Sequence, residues 1–139
     1  MAPHMIRSAL MVRAPWADLL VTGRKRWEMR TCACLKRDLI GVIKVGTGTI
    51  IGVVRISDSR GPLTDAELRQ AQPEHLVPPA GLPEGTRYRY AWTMEAAHKF
   101  EEPIPYAMRP GQQTFVTLDT VTARRVAEQL NVRIGDTNA

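Results

Sequence analysis

Two β-branched runs, LIGVIKVG over 39–46 and IIGVVRI over 50–56, are separated only by Thr47, Gly48 and Thr49. No other feature restricts the fold as much. β-branched side chains fit a pleated surface, and so short a glycine-containing joint suits a hairpin or a close strand pair. The interior glycines, Gly41 and Gly52, mark bulges or places where another backbone comes close. Thr47 and Thr49 are read first as residues of the tight turn, their hydroxyls being spare for chemistry.

Around this pair the chain alternates short elements. Pro15 suits a first helical turn, Trp16, Leu19 and Leu20 share one face over 15–22, and Gly23 supplies a left-handed stop. Next, RWEMRT over 26–31 sets Trp27 and Met29 against Arg26, Glu28 and Arg30, the period of a strand with one apolar and one polar face. Thr64 and Glu67 form a capping-box signature for a helix TDAELRQA that Pro73 ends. A polar, proline-rich loop over 72–86 follows. YRYAWTME over 88–95 places Tyr88, Tyr90, Trp92 and Met94 on one strand face. The loop PIPYAMRPGQQ leads to a last core strand, TFVTL, and then a helix over 120–131. Five or six strands with short helices do not make an alternating α/β layout. They predict an α+β fold built on a small, mixed, partly closed barrel.

With 139 residues, the chain has room for one domain with a real core, expected to span 1–139 with its centre over about 10–119. No apolar run approaches the ~20 residues that span a bilayer, and the opening residues lack a secretory apolar region, so the expected location is cytoplasmic and no membrane partner is expected. Cys32 and Cys34, the only cysteines, are too close in sequence for an ordinary disulfide and too few for a zinc site. They are read as reduced, partly buried strand residues. No metal or other cofactor is expected, and no obligate protein partner. A formal net charge of +5 favours a polyanionic or phosphate-bearing partner.

The chemistry concentrates in GRKRWEMR, 23–30. Arg24, Lys25 and Arg26 fit a solvated cluster at a helix C-terminus, where the dipole favours cations. Glu28 and Arg30, on the same strand face as Arg26, form an alternating charge row that fits an exposed strand or the polar floor of a cleft.

The stretch PWADLLVTGRKRWEMR resembles the signature of ASCH domains, in which a Pro-Trp helix precedes the pattern G-x-K-x-x-E-x-R, here Gly23, Lys25, Glu28 and Arg30. KVGTGTIIGVVRI, YAWTMEAAHKF and the P-I-P-Y loop before TFVTL resemble the family in order and spacing. The resemblance implies a PUA-like β-barrel with the motif lining a positively charged cleft. It also implies either RNA or DNA binding, a ribonuclease-like activity, or hydrolysis of the amide of N4-acetylcytidine. In the hydrolytic group a lysine, a threonine three residues later and a distant glutamate act together; these positions correspond to Lys25, Glu28 in place of the threonine, and Glu74.

Two functions follow as expectations. The first is an amidohydrolase acting on N4-acylated cytosine nucleosides. Water activated by Glu28 or Lys25 would be its nucleophile, with Glu74 orienting Lys25, Arg30 stabilising the oxyanion, and Trp16, Arg24, Arg26 and Arg30 binding substrate. As a base, Lys25 needs a pKa well below its usual ~10.4, which burial and neighbouring arginines favour. The second is an RNA-binding module or ribonuclease, with Trp16, Trp27, Tyr88 and Trp92 as base-stacking candidates. His75 and His98 are read as solvated loop residues. The chain holds little beyond one domain, which tilts the expectation toward a small enzyme.

Overall fold

The protein is described by a computed structural model over residues 6–107, 109, 111 and 114–138. In chain order its elements are β1 (Ser8–Val12), α1 (Trp16–Val21), β2 (Trp27–Arg30), β3 (Leu39–Lys44), β4 (Thr49–Arg60), α2 (Asp65–Gln70), α3 (Gln72–His75), a 3-10 turn (Pro79–Gly81), β5 (Tyr90–Pro105), β6 (Phe115–Thr117) and α4 (Thr120–Asn138).

The β-branched runs pair as the expected antiparallel hairpin, β3 with β4. Thr47 closes the turn by donating to the Lys44 carbonyl, and its hydroxyl lies 2.7 Å from that of Thr49. Six strands form one mixed sheet in the order β2-β5-β4-β3-β1-β6. Among the described residues only the β1–β3 pair is parallel. The pairing of β4 with β5 shifts register three times, and each bulge adds bend and twist, so the sheet curls.

One apolar cluster gathers Leu10, Ile40, Val42, Val54, Ile56 and Trp92 around Leu20 and Val21 of α1. A helix of six residues is not stable alone. Burial of Leu20 and Val21, both at most 1 % exposed, contributes ~1.5–3 kcal/mol each and holds it on the sheet. Gly52 permits that approach: a Cβ there would collide with the His98 carbonyl and the Val21 side chain. A second cluster, with Ile43, Ile50, Phe100 and Ile104, is covered by α4 through Ala123 and Val126. No helix among the described residues is long and apolar enough to cross a membrane.

Several local expectations change. Strand β5 starts at Tyr90, leaving Tyr88 in the preceding loop, and it runs on through the polar stretch to Pro105, so His98 lies in a strand. The 72–86 loop contains α3, because Pro73 sits in the first turn of a new helix, where its missing N–H costs nothing. Cys32 and Cys34 lie in the loop after β2, Cys32 exposed and Cys34 buried. Helix α4 extends past residue 131.

Candidate functional site

The segment between α1 and β2 is held by its own backbone. Gly23, at φ +78°, ends the helix, and the Lys25 N–H returns to the Leu19 carbonyl at 3.0 Å. Arg26 donates its N–H to the Glu74 carbonyl at 2.9 Å and accepts from the Met94 N–H at 2.7 Å. Helix α1, helix α3 and strand β5 therefore all fix this turn, and Lys25 points inward.

Lys25 is 1 % exposed, the largest of the fully buried side chains among the described residues. Its Nζ donates to the His75 carbonyl at 2.5 Å, lies 4.8 Å from the centroid of the Trp16 ring, and stands 3.9 Å from Glu28 Oε1. Burial penalises the charged form and brings its pKa down from 10.5 to about 8; Glu28 opposes that shift and Arg30 adds to it. Glu28 is 6 % exposed. Its Oε2 accepts from both Nε and Nη2 of Arg30, at 3.0 and 2.8 Å, while Nη2 also donates to the Met11 carbonyl at 2.9 Å. Arg30 thus clamps one carboxylate oxygen and leaves Oε1 facing Lys25. Below Arg30 lies the Trp92 ring, 5.5 Å from the guanidinium carbon, stacked in turn on Phe115 at 5.7 Å. Trp92 is fixed by donating its indole N–H to the Cys32 carbonyl at 2.8 Å.

Lys25, Glu28 and Arg30 line a cavity of about 570 Å³, whose walls include Trp16, Val77, Leu82 and Tyr88, with Arg13 and Thr114 also on its lining. That volume is ordinary for a small-molecule site.

The charge row of the motif divides. Lys25, Glu28 and Arg30 face the cavity together with Trp16. Arg24 is exposed and outside it, and Arg26, its side chain 58 % exposed, pairs with Glu74 at 2.8 Å. The expectation that Glu74 orients Lys25 is corrected: its carboxylate goes to Arg26, and the neighbouring residue supplies the acceptor through the His75 main chain. Nor is His75 a solvated loop residue; it is 2 % exposed. Its Nδ1 accepts from the Val77 N–H at 2.9 Å, so Nε2 carries the proton and donates to the Leu68 carbonyl at 2.7 Å. Desolvation by burial lowers its pKa and favours this neutral form. Arg30 spends Nε and Nη2 on Glu28 and Met11, which makes it a clamp before it is an oxyanion donor. Of the stacking candidates, Trp16 and Tyr88 line the cavity, Trp92 lies beneath Arg30, and Trp27 packs against the cluster of Met29, Leu68 and Ala91. Sequence reasoning missed Arg13 and the His75 and Met11 carbonyls; no side-chain pattern marks a carbonyl as a partner.

One curled, mixed six-stranded sheet with short flanking helices is an α+β architecture of the PUA-like type. The chain belongs to the ASCH domain family, whose model matches residues 10–104. It is similar in structure to ASCH from Zymomonas mobilis, with a TM-score of 0.70, 14% identity and coverage of 90% of this chain and 96% of that one. A point variant of that protein aligns with a TM-score of 0.69 at 15% identity, covering 87% of this chain and 96% of the other. No curated protein sequence matches the chain.

Proposed function

We propose that this ASCH protein hydrolyses the exocyclic amide of N4-acylated cytosine nucleosides, N4-acetylcytidine being the simplest. The observation that carries the reading is the buried Lys25–Glu28 pair, separated by 3.9 Å at the floor of a cavity with aromatic walls. Amide hydrolysis needs a base for water, an acid for the leaving amine and a donor for the oxyanion. Glu28 Oε1, left open by the Arg30 clamp, takes a proton from the attacking water. Lys25, with a pKa of about 8, is still roughly nine-tenths protonated at neutral pH and is a stronger acid than an ordinary lysine. It stabilises the oxyanion and then passes a proton to the departing N4. The C–N bond breaks, the acyl carbon keeps the water oxygen, and the carboxylic acid product leaves the two side chains to re-equilibrate their protons.

Trp16 and Tyr88 offer faces against which a pyrimidine can stack. Glu28 replaces the threonine of the hydrolytic pattern, so water is the nucleophile here. An absorbance assay of the purified protein with N4-acetylcytidine and bulkier N4-acylcytidines tests the reading. Conversion to cytidine is expected in the parent and not in Lys25→Met; no conversion of any acylated cytidine contradicts it.

A further inference from the structure

The cavity carries more positive charge than amide hydrolysis of a neutral nucleoside requires. Three cations line it, Arg13, Lys25 and Arg30, against the single carboxylate of Glu28. Lys25 and Arg30 are committed to the His75 carbonyl, Glu28 and the Met11 carbonyl. Arg13, just past the end of β1, is different: its side chain is exposed and makes no hydrogen bond or ion pair with any described residue. Thr114 also lines the cavity, and the Met11 N–H, two residues before Arg13, donates to the Thr114 carbonyl at 2.9 Å as β1 and β6 begin to pair. Met11 in turn receives Arg30, so the Arg13 and Thr114 end adjoins the guanidinium side of the catalytic floor.

An uncommitted guanidinium in a cavity of net positive charge, with Thr114 on the same lining, suits a phosphate: the arginine fork matches its oxygens, and charge-assisted bonds are about twice as strong as neutral ones. We infer that the substrate is a nucleotide, whose acylated base reaches Lys25 and Glu28 while its phosphate is held by Arg13, with Thr114 as a second donor. This rests on the proposed hydrolysis for the identity of the base, but the phosphate site is testable without turnover.

Binding of cytidine, cytidine 5′-monophosphate and cytidine 3′-monophosphate is measured by tryptophan fluorescence and calorimetry, alongside hydrolysis of N4-acetylcytidine and its two monophosphates. In the parent, at least one monophosphate is expected to bind about tenfold tighter or more than cytidine, and the corresponding acetylated nucleotide to show a kcat/KM higher by a similar factor. That ratio is expected to collapse toward one in Arg13→Gln, to be largely kept in Arg13→Lys, and to fall by a smaller factor in Thr114→Val. Equal binding of nucleoside and both monophosphates in the parent, no binding of either monophosphate, or a preference that survives in Arg13→Gln overturns the inference. Phosphate-dependent binding that needs Arg13, with no amide hydrolysis of any acylated form, supports the phosphate site while removing the proposed reaction.

Discussion

Lys25 and Arg26 are adjacent cations in one turn, and they meet opposite environments. Lys25 is 1 % exposed and held by a carbonyl, an aromatic ring and a carboxylate, whereas the Arg26 side chain is 58 % exposed and shares a solvent-facing ion pair with Glu74. A surface pair of that kind is worth ~0–1 kcal/mol. A buried charge costs several kcal/mol of desolvation, which its partners only partly offset. Burial against that cost separates a site from a solvated face.

The sharpest way to break the contrast is to remove the carboxylate. Glu28→Gln is expected to lower kcat/KM by ~10²–10⁴-fold, the usual contribution of a positioned acid or base. Glu28→Ala is expected also to destabilise the fold by ~3–5 kcal/mol, because Lys25 and Arg30 would stay buried without their partner. Activity retained in Glu28→Gln excludes the general base.

Lys25→Met sharpens it further, since activity and stability should move apart. Turnover is expected to disappear, yet at pH 7 the variant is expected to unfold at no lower a temperature than the parent, an apolar chain of similar length fitting the buried slot. With pH the sign is fixed by the lowered pKa. Between about pH 8 and 10.5 the unfolded chain holds the Lys25 proton and the folded chain has released it, so this group's contribution to stability rises with pH. The parent is expected to gain on the order of 3 kcal/mol relative to Lys25→Met across that window, read from denaturant midpoints.

A smaller effect is expected at Trp92, which supports the Arg30 clamp from below. Trp92→Phe keeps a ring there and is expected to lower kcat by several-fold while KM changes little; a change in KM alone would separate Trp92 from the clamp. Its cost in stability is expected to be about 1–3 kcal/mol, because Trp92 is 2 % exposed and loses its bond to the Cys32 carbonyl. On the outer face Arg26→Ala and Glu74→Ala are expected to change stability by no more than about 0.5 kcal/mol. A large loss there would erase the distinction between the two faces.

Salt separates a small substrate from an RNA backbone. Each phosphate neutralised on a single strand contributes about 0.7 to the log–log slope of affinity against salt, so several contacts lose roughly a thousandfold or more. Hydrolysis of N4-acetylcytidine is expected to change less than about tenfold between low and moderate salt.

Much of this arrangement was legible in the sequence because the signals are local. The β3–β4 hairpin follows from its β-branched runs, the end of α1 from Gly23, and the start of α2 from Thr64 and Glu67, which form the capping box in full. Glu28 and Arg30 lie in the alternation of β2, whereas Lys25 stands out only through the resemblance to the G-x-K-x-x-E-x-R pattern. What could not be read is long-range. His75 holds Lys25 through a carbonyl 50 residues away, and main-chain acceptors carry no residue signature. The second half of β5 is polar, and pairing with the 12-residue β4 keeps it extended where its own sequence gives no apolar period. Nothing in the sequence marks Arg13, because its place on the cavity depends on the curl of the sheet.

Lys25 is proposed to act as a proton-donating acid beside Glu28, and the pH dependence of kcat/KM for an N4-acylcytidine tests that most directly, since it reports the groups of the free enzyme. With the Lys25 pKa at about 8, kcat/KM is expected to hold through neutral pH and to fall about tenfold per unit well above pH 8. A rate that climbs through pH 8 and levels off near pH 9 or above would instead make the neutral amine the working form, and would contradict the assignment of acid and base made here.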